Sequence, residues 1–258
     1  MDLKDDLKLF LNPCELFNRS QLIPDQWQKQ VLLSNSKRII LLTARQVGKS
    51  TVTAALALHQ AILKDSALIL IASPSLRQSS ELFKKIKQFL NCISLKTLSE
   101  SQTQLELENQ SRIVCLPGSE QTIRGYSAPD LLIIDEASMI ADDLFSAMTP
   151  MLVSNKNARI ILLSTPKGER GIFHKIWSAN NDYLKIKVTA DDCNRFEKSF
   201  LDQELINMGK NMFLQEYYCQ FIAGAYKYFE QDKINKLFED NNEEEENDDE
   251  FNKWIDEI

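Results

Sequence analysis

The sequence is poor in histidine and glycine, has no closely paired cysteines, and contains no long hydrophobic run. There are two histidines, His59 and His174, and five cysteines, Cys14, Cys92, Cys115, Cys193 and Cys219, none in a Cys-x-x-Cys pair. These spacings exclude the common zinc patterns and point to free, buried thiols in a reducing compartment. Seven glycines and seven prolines in 258 residues exclude collagen-like and low-complexity classes. No apolar stretch approaches the roughly 18 residues needed to span a bilayer. The longest, at 39–42, 67–72, 131–134 and 160–163, are strand-sized. The N-terminal MDLKDDLKLF is acidic and amphipathic, unlike a secretory signal. The expected location is the cytoplasm, with no membrane partner.

Charge is unevenly placed. The net charge is -7, yet residues 239–258 hold eleven acidic residues and one lysine, so residues 1–238 are mildly basic at +3. A basic body with an acidic tail is compatible with nucleic acid but does not establish it. The run 243–250 has no apolar partners and is expected to be disordered. A solvated solubility tail and a removable shield over the basic body are both open readings of it.

The hydrophobic pattern predicts alternating strands and helices. A helix is expected up to Asn12-Pro13, followed by a polar connector, and another over 25–34. Strands are expected at 39–42, 67–72, 131–134, 160–163 and 184–188, with helices at 49–63, 76–90, 142–152 and 171–178. Residues 104–108 and 112–116 read as a hairpin across Asn109-Gln110. Residues 196–221 read as two helices broken at Met208-Gly209. Near-continuous apolar strands alternating with helices predict an α/β fold around a buried, mostly parallel sheet. The expected organisation is an N-terminal helix and connector (1–20), a core domain (21–190), a C-terminal helical subdomain or linker (191–238) and the acidic tail (239–258).

Two motifs carry chemistry. Residues 43–51, TARQVGKST, follow a buried strand and open a helix. Gly48, Lys49 and Ser50 match the end of the phosphate-binding pattern G-x-x-x-x-G-K-[ST], with Thr43 in place of its first glycine. The loop Thr43, Ala44, Arg45, Gln46, Val47, Gly48 and its continuation through Thr51 would cradle phosphates with backbone N–H groups. Lys49 adds charge at the β- and γ-phosphates and the Ser50 hydroxyl can hold Mg²⁺. The second motif is the strand 131–134, which delivers Asp135 and Glu136 at its carboxyl end, where α/β sheets bind ligands. Asp135 would hold Mg²⁺ and Glu136 would act as general base toward water. The plainer alternatives are a surface Gly-Lys-Ser turn and an acidic pair at a helix N-terminus.

Together with their flanks, these motifs resemble the N-terminal ATPase domain of tailed-phage terminase large subunits, over roughly residues 20–230. The resemblance rests on Arg45-Gln46-Val47-Gly48-Lys49-Ser50, on Leu22-Ile23-Pro24-Asp25-Gln26 as an upstream adenine motif, and on Ile123-Arg124-Gly125. It rests further on Leu163-Ser164-Thr165-Pro166-Lys167-Gly168 and Gln215-Glu216-Tyr217-Tyr218-Cys219. It implies a RecA/ASCE-like P-loop fold with a small helical lid region, with ATP and Mg²⁺ as ligands. Gln26 would read the adenine, and Arg45 or Arg124 would supply an arginine finger, in cis or from a neighbouring subunit. Thr165 would couple γ-phosphate loss to DNA movement. On the bland reading, Gln26 is a solvated helix residue, the two arginines are surface ion pairs, and Ser164-Thr165 caps a turn.

The implied activity is ATP hydrolysis coupled to translocation of double-stranded DNA by a homo-oligomeric ring. Portal protein, small terminase subunit and a separately encoded nuclease are the implied partners. Relatives usually continue into a nuclease domain, which this sequence lacks, so no DNA cleavage by this polypeptide is expected. Lys84, Lys85 and Lys87, or Lys167, Arg170 and Lys175, are candidate DNA-backbone contacts, or simply face solvent. His59, Phe83, Phe89, Trp177 and Phe221 are expected to pack. Two other functions stay open: a helicase-like ATPase of superfamily 2, and a non-catalytic remnant that binds nucleotide or partners.

Overall fold

Eight strands form one sheet in the computed structural model, which describes residues 3–93, 95–116 and 125–223. In chain order the elements begin with α1 (Leu3–Leu11), α2 (Cys14–Arg19), α3 (Gln26–Leu33), β1 (Arg38–Thr43), α4 (Lys49–Leu63), β2 (Leu68–Ala72) and α5 (Leu76–Asn91). They continue with β3 (Thr97–Glu100), β4 (Gln104–Leu107), β5 (Arg112–Leu116), β6 (Leu131–Asp135), α6 (Asp142–Met148) and β7 (Arg159–Ser164). The last are α7 (Gly171–Ser178), β8 (Leu184–Val188) and α8 (Lys198–Tyr218). Single 3₁₀ turns occupy Ala137–Met139, Thr149–Leu152 and Ala190–Asp192.

The strand order is β3-β4-β5-β2-β6-β7-β1-β8. Strands β5 to β8 in that order pair in parallel, while β3 and β4 extend the far edge antiparallel. The expected α/β fold with a mostly parallel sheet is therefore what forms. Helix-bearing crossovers cover both faces of a parallel sheet, which is why its central strands are aliphatic throughout rather than alternating. Each residue of β2 and β6 is buried, and β1 and β7 are buried after their first residue.

Local chemistry sets the helix starts. Asp25 and Gln28 form a capping box at α3, with the Asp25 N–H donating to Gln28 Oε1 at 2.9 Å. Ser75 caps α5, whose buried residues Leu82, Phe83, Ile86 and Phe89 recur at helical spacing. Phe83 and Phe89 pack as expected, and His59 is buried with Nε2 3.0 Å from the Leu9 carbonyl.

The structure departs from the sequence reading in four places. Residues 14–19 are helical, not a connector: Leu16 and Phe17 are in the core and Phe17 meets the Phe89 ring at 5.4 Å. Strand β3 was not expected, because its exposed, polar residues show no apolar alternation. The helix expected over 142–152 gives way to a 3₁₀ turn beginning at Thr149-Pro150, where proline removes an α-helical hydrogen bond. Cys92 is exposed, while the other four cysteines are buried and all five are free.

Gly209 breaks α8 as expected, with φ 75° and ψ 163°. Residues up to Phe221 cluster as one unit; a second begins at Ile222 and lies almost wholly outside the described residues. The expected acidic tail and Arg124 also lie outside them. Among the described residues no helix is long and apolar enough to cross a membrane.

Asp130 ties down the amino edge of the sheet. Its buried carboxylate pairs with Lys64 at the end of α4, accepts from the Leu68 N–H at 3.0 Å, and accepts from Asn155 Nδ2 at 2.8 Å. Removing it strands a buried N–H, so Asp130→Ala is expected to cost about 2–3 kcal/mol in urea unfolding at neutral pH. A loss below about 0.5 kcal/mol would show that water replaces these bonds.

Candidate functional site

The site lies where β1, β7 and β6 end side by side. The register pairs Leu42 with Ser164 and Leu163 with Asp135, so the carboxyl ends of all three strands come level. The Lys49 loop leaves β1, the carboxylate pair leaves β6, and Ser164 closes β7 between them. Residues more than 80 positions apart in sequence thereby converge. Lys49 Nζ lies 2.6 Å from Glu136 Oε1, a charge-assisted contact with both side chains largely withdrawn from solvent.

The loop alternates inward and outward. Thr43, Ala44 and Val47 are buried, Arg45 and Gln46 are exposed, and Gly48, Lys49, Ser50 and Thr51 are partly exposed at the start of α4. Thr43 fills the place of the missing glycine as the last residue of β1; its buried hydroxyl has no hydrogen-bond partner among the described residues. The Ala44 N–H donates to the Val188 carbonyl at 2.7 Å, anchoring the loop to β8. Gly48 has φ 94°, a left-handed conformation that side chains resist. A Cβ there would lie 2.8 Å from Gln28 Nε2 and 3.4 Å from Arg195 Nη1.

Asp135 is only 5% exposed. Burial pushes its acid up to about 6, with Lys49 opposing that rise and Glu136 adding to it. The Glu136 N–H donates to Asp135 Oδ1 at 3.0 Å, and Glu136 takes a left-handed backbone at φ 51°. A buried carboxylate of this kind suits a divalent cation, since an added positive charge removes the penalty of desolvation. Asp135 and Ser50 offer the hard oxygen donors that Mg²⁺ prefers.

Several expected residues are placed differently. Gln26 is exposed on α3, whereas Gln28, two residues on, is buried and donates from Nε2 to the Gly48 carbonyl at 3.3 Å. The capping-box spacing of Asp25 and Gln28 was the available signal, since it turns Gln28 back toward the helix start. Thr165 is half-buried beside the site, but Ser164 makes the contacts: its Oγ is 2.7 Å from Ser138 Oγ and 3.4 Å from Glu136 Oε2. Arg45 is largely exposed, with Nε 2.5 Å from Oε2 of the nearly buried Glu216 on α8. Its N–H also donates to the Glu216 carbonyl at 3.0 Å. The segment 215–219 thus meets the loop through Glu216.

Arg195, unremarked in the sequence, pairs with Asp25 beside Gly48. Three lysines of the candidate DNA-contact groups are in ion pairs. Lys84 pairs with Glu81 at 2.7 Å, Lys87 with Glu100 at 2.9 Å, and Lys175 with Asp142 at 3.1 Å. Lys85 turns inward to Thr51.

Known proteins share this fold and part of the sequence. The family described as terminase large subunit, T4-like virus type, N-terminal, matches residues 40–236. A probable terminase large subunit of Enterobacteria phage P7 is 46% identical over 61 residues, which is 23% of this chain and 12% of that protein. The match therefore spans about an eighth of that relative. The large terminase ATPase domain of Thermus phage P74-26 superposes with a TM-score of 0.70 at 18% identity, over 82% of this chain and 99% of that one. The large terminase of bacteriophage D6E, solved with ATP-γ-S, gives a TM-score of 0.63 at 13% identity, over 89% and 56% of the two chains.

The left-handed backbone at Gly48 yields a direct test. Gly48→Ala is expected to destabilise the protein by about 1–2 kcal/mol, measured by chemical denaturation. Unchanged stability would show that the loop and Gln28 relax without strain.

Proposed function

The chain belongs to the terminase large-subunit family, as its T4-like N-terminal domain, and from that premise we propose that it is the ATP-hydrolysing motor domain of a DNA-packaging machine. The observation that carries the proposal is the meeting of Lys49, Asp135 and Glu136 at one point of the sheet edge. The ATP-γ-S complex of the D6E terminase supports it by analogy of fold.

The site is held by pairs that a triphosphate would rearrange. Lys49 exchanges the Glu136 carboxylate for the β- and γ-phosphates, which carry more negative charge. The start of α4 receives phosphate through its unsatisfied backbone N–H groups. Asp135 and Ser50 would hold Mg²⁺, which when bound neutralises phosphate charge. Glu136, released from Lys49, accepts a proton from water as that water's oxygen bonds to the γ-phosphorus; the bond to the bridging oxygen breaks and leaves ADP and phosphate. The 3.4 Å contact from Ser164 keeps Glu136 oriented while this happens.

Gln28, seated against Gly48, would contact the nucleotide together with Gln26, the residue that the resemblance sets at the adenine. Arg45 serves as the finger once it leaves Glu216; Arg124, donated across a ring by a neighbour, is the other candidate. Strand β7 passes the γ-phosphate's presence onward through Ser164 to Thr165. The substrate for movement is double-stranded DNA. The assembly is a homo-oligomeric ring in the host cytoplasm, working with portal protein and small subunit.

The test is phosphate release by the purified protein with and without duplex DNA. Glu136→Gln is expected to reduce turnover by at least about a hundredfold while nucleotide still binds. Equal release from wild type and Glu136→Gln would overturn the proposal.

A further inference from the structure

Lys85 occupies an electrostatically unfavourable position. It is on α5 between the buried residues Phe83 and Ile86, and its side chain is half-buried. Its neighbours Lys84 and Lys87 reach carboxylates on the outer surface, at Glu81 and Glu100. Lys85 instead crosses to α4 and donates from Nζ to Thr51 Oγ1 at 3.3 Å.

That places a second ammonium at the first turn of α4, whose N-terminus is itself positive. Burial lowers the Lys85 ammonium below the usual lysine range; Asp135 opposes this, Lys49 adds to it, and Glu81 opposes it more weakly. Asp135, Lys49, Glu81 and Thr51 are thus the groups that act on it. Glu81 is already engaged by Lys84 and Glu136 by Lys49. Among the described residues, Asp135 is thus the carboxylate that acts most strongly on Lys85 across the site. A desolvated charge without a full partner is costly, and an arriving polyanion would relieve that cost.

We propose that Lys85 is a second phosphate-responsive cation of the nucleotide site, a positioning residue that ties α5 to the bound triphosphate through Thr51. The inference rests on the nucleotide reading above and adds a residue to it. Thr51 is in the first turn of α4, so a triphosphate seated at that helix start brings negative charge to Lys85 across a single side chain. A diphosphate brings less. Lys85 thereby distinguishes the two nucleotides, and α5, which begins at Ser75 just after β2, carries the difference away from the site.

The experiment compares binding of a non-hydrolysable ATP analogue and of ADP, each with Mg²⁺, to the whole chain. Lys85→Met is expected to weaken the analogue about tenfold and ADP by less than about threefold, shrinking the triphosphate preference. Lys85→Arg is expected to restore that preference, because it keeps the charge. A pure packing role would change both affinities equally or neither, and either result overturns the inference. In wild type, the analogue should protect Lys85 from amine acetylation more than ADP does; equal reactivity in the free, ADP and analogue states overturns it without any variant. Failure of wild type to bind either nucleotide would instead remove the nucleotide reading itself.

Discussion

Strand β7, inserted between β1 and β6, is the constraint on which the site depends. Its parallel register with both neighbours levels the three carboxyl ends, and Lys49, Ser164 and Glu136 follow directly from that level edge. A slip of one residue would turn side chains to the opposite face, so the aliphatic burial of these strands is what holds the chemistry in place. The sheet interior and the catalytic geometry are in this sense one structure. Ile133, Ile134, Leu41 and Leu163 contribute to both, though none carries a functional group.

Cations around the site are held by anions that a nucleotide can replace. Lys49 meets Glu136, Arg45 meets Glu216, Arg195 meets Asp25, and Lys85 shares the field of Asp135. Two of these pairs, Lys49–Glu136 and Arg45–Glu216, join other parts of the chain to the loop at 43–51; Lys85 reaches it through Thr51, and Arg195–Asp25 lies beside Gly48. Glu216 comes from α8, Asp25 precedes α3, and Lys85 comes from α5. A polyanion in the loop would compete with each of them. That would give phosphate occupancy a physical route to α8, α3 and α5, since each contact is held by charge for which a polyanion competes.

The capping box of α3 illustrates how a local device acquires a second use. Asp25 and Gln28 satisfy the start of the helix, and the same arrangement sets Gln28 against Gly48 and leaves Asp25 for Arg195. The left-handed glycine admits this approach, since no other residue leaves space for the Gln28 amide. Thus the third helix, outside the loop motif, becomes one wall of the site.

Much of the fold was legible in one dimension. Apolar runs at 39–42, 131–134 and 160–163 marked central strands because a strand covered on both faces must be apolar throughout. The Gly48-Lys49-Ser50 and Asp135-Glu136 motifs were legible because their chemistry depends on adjacent residues. What sequence could not provide was which near neighbour turns toward the site: Gln28 beside the exposed Gln26, Ser164 with its contact to Glu136 beside Thr165, and Lys85 reaching Thr51 beside Lys84 and Lys87. Those choices turn on where a side chain points across to another element. Such directions are set by helix packing and strand register between segments far apart in the chain, and no local pattern encodes them. Composition and periodicity therefore determined the sheet and its two chemical motifs. Only tertiary packing decided which cation meets which anion around them.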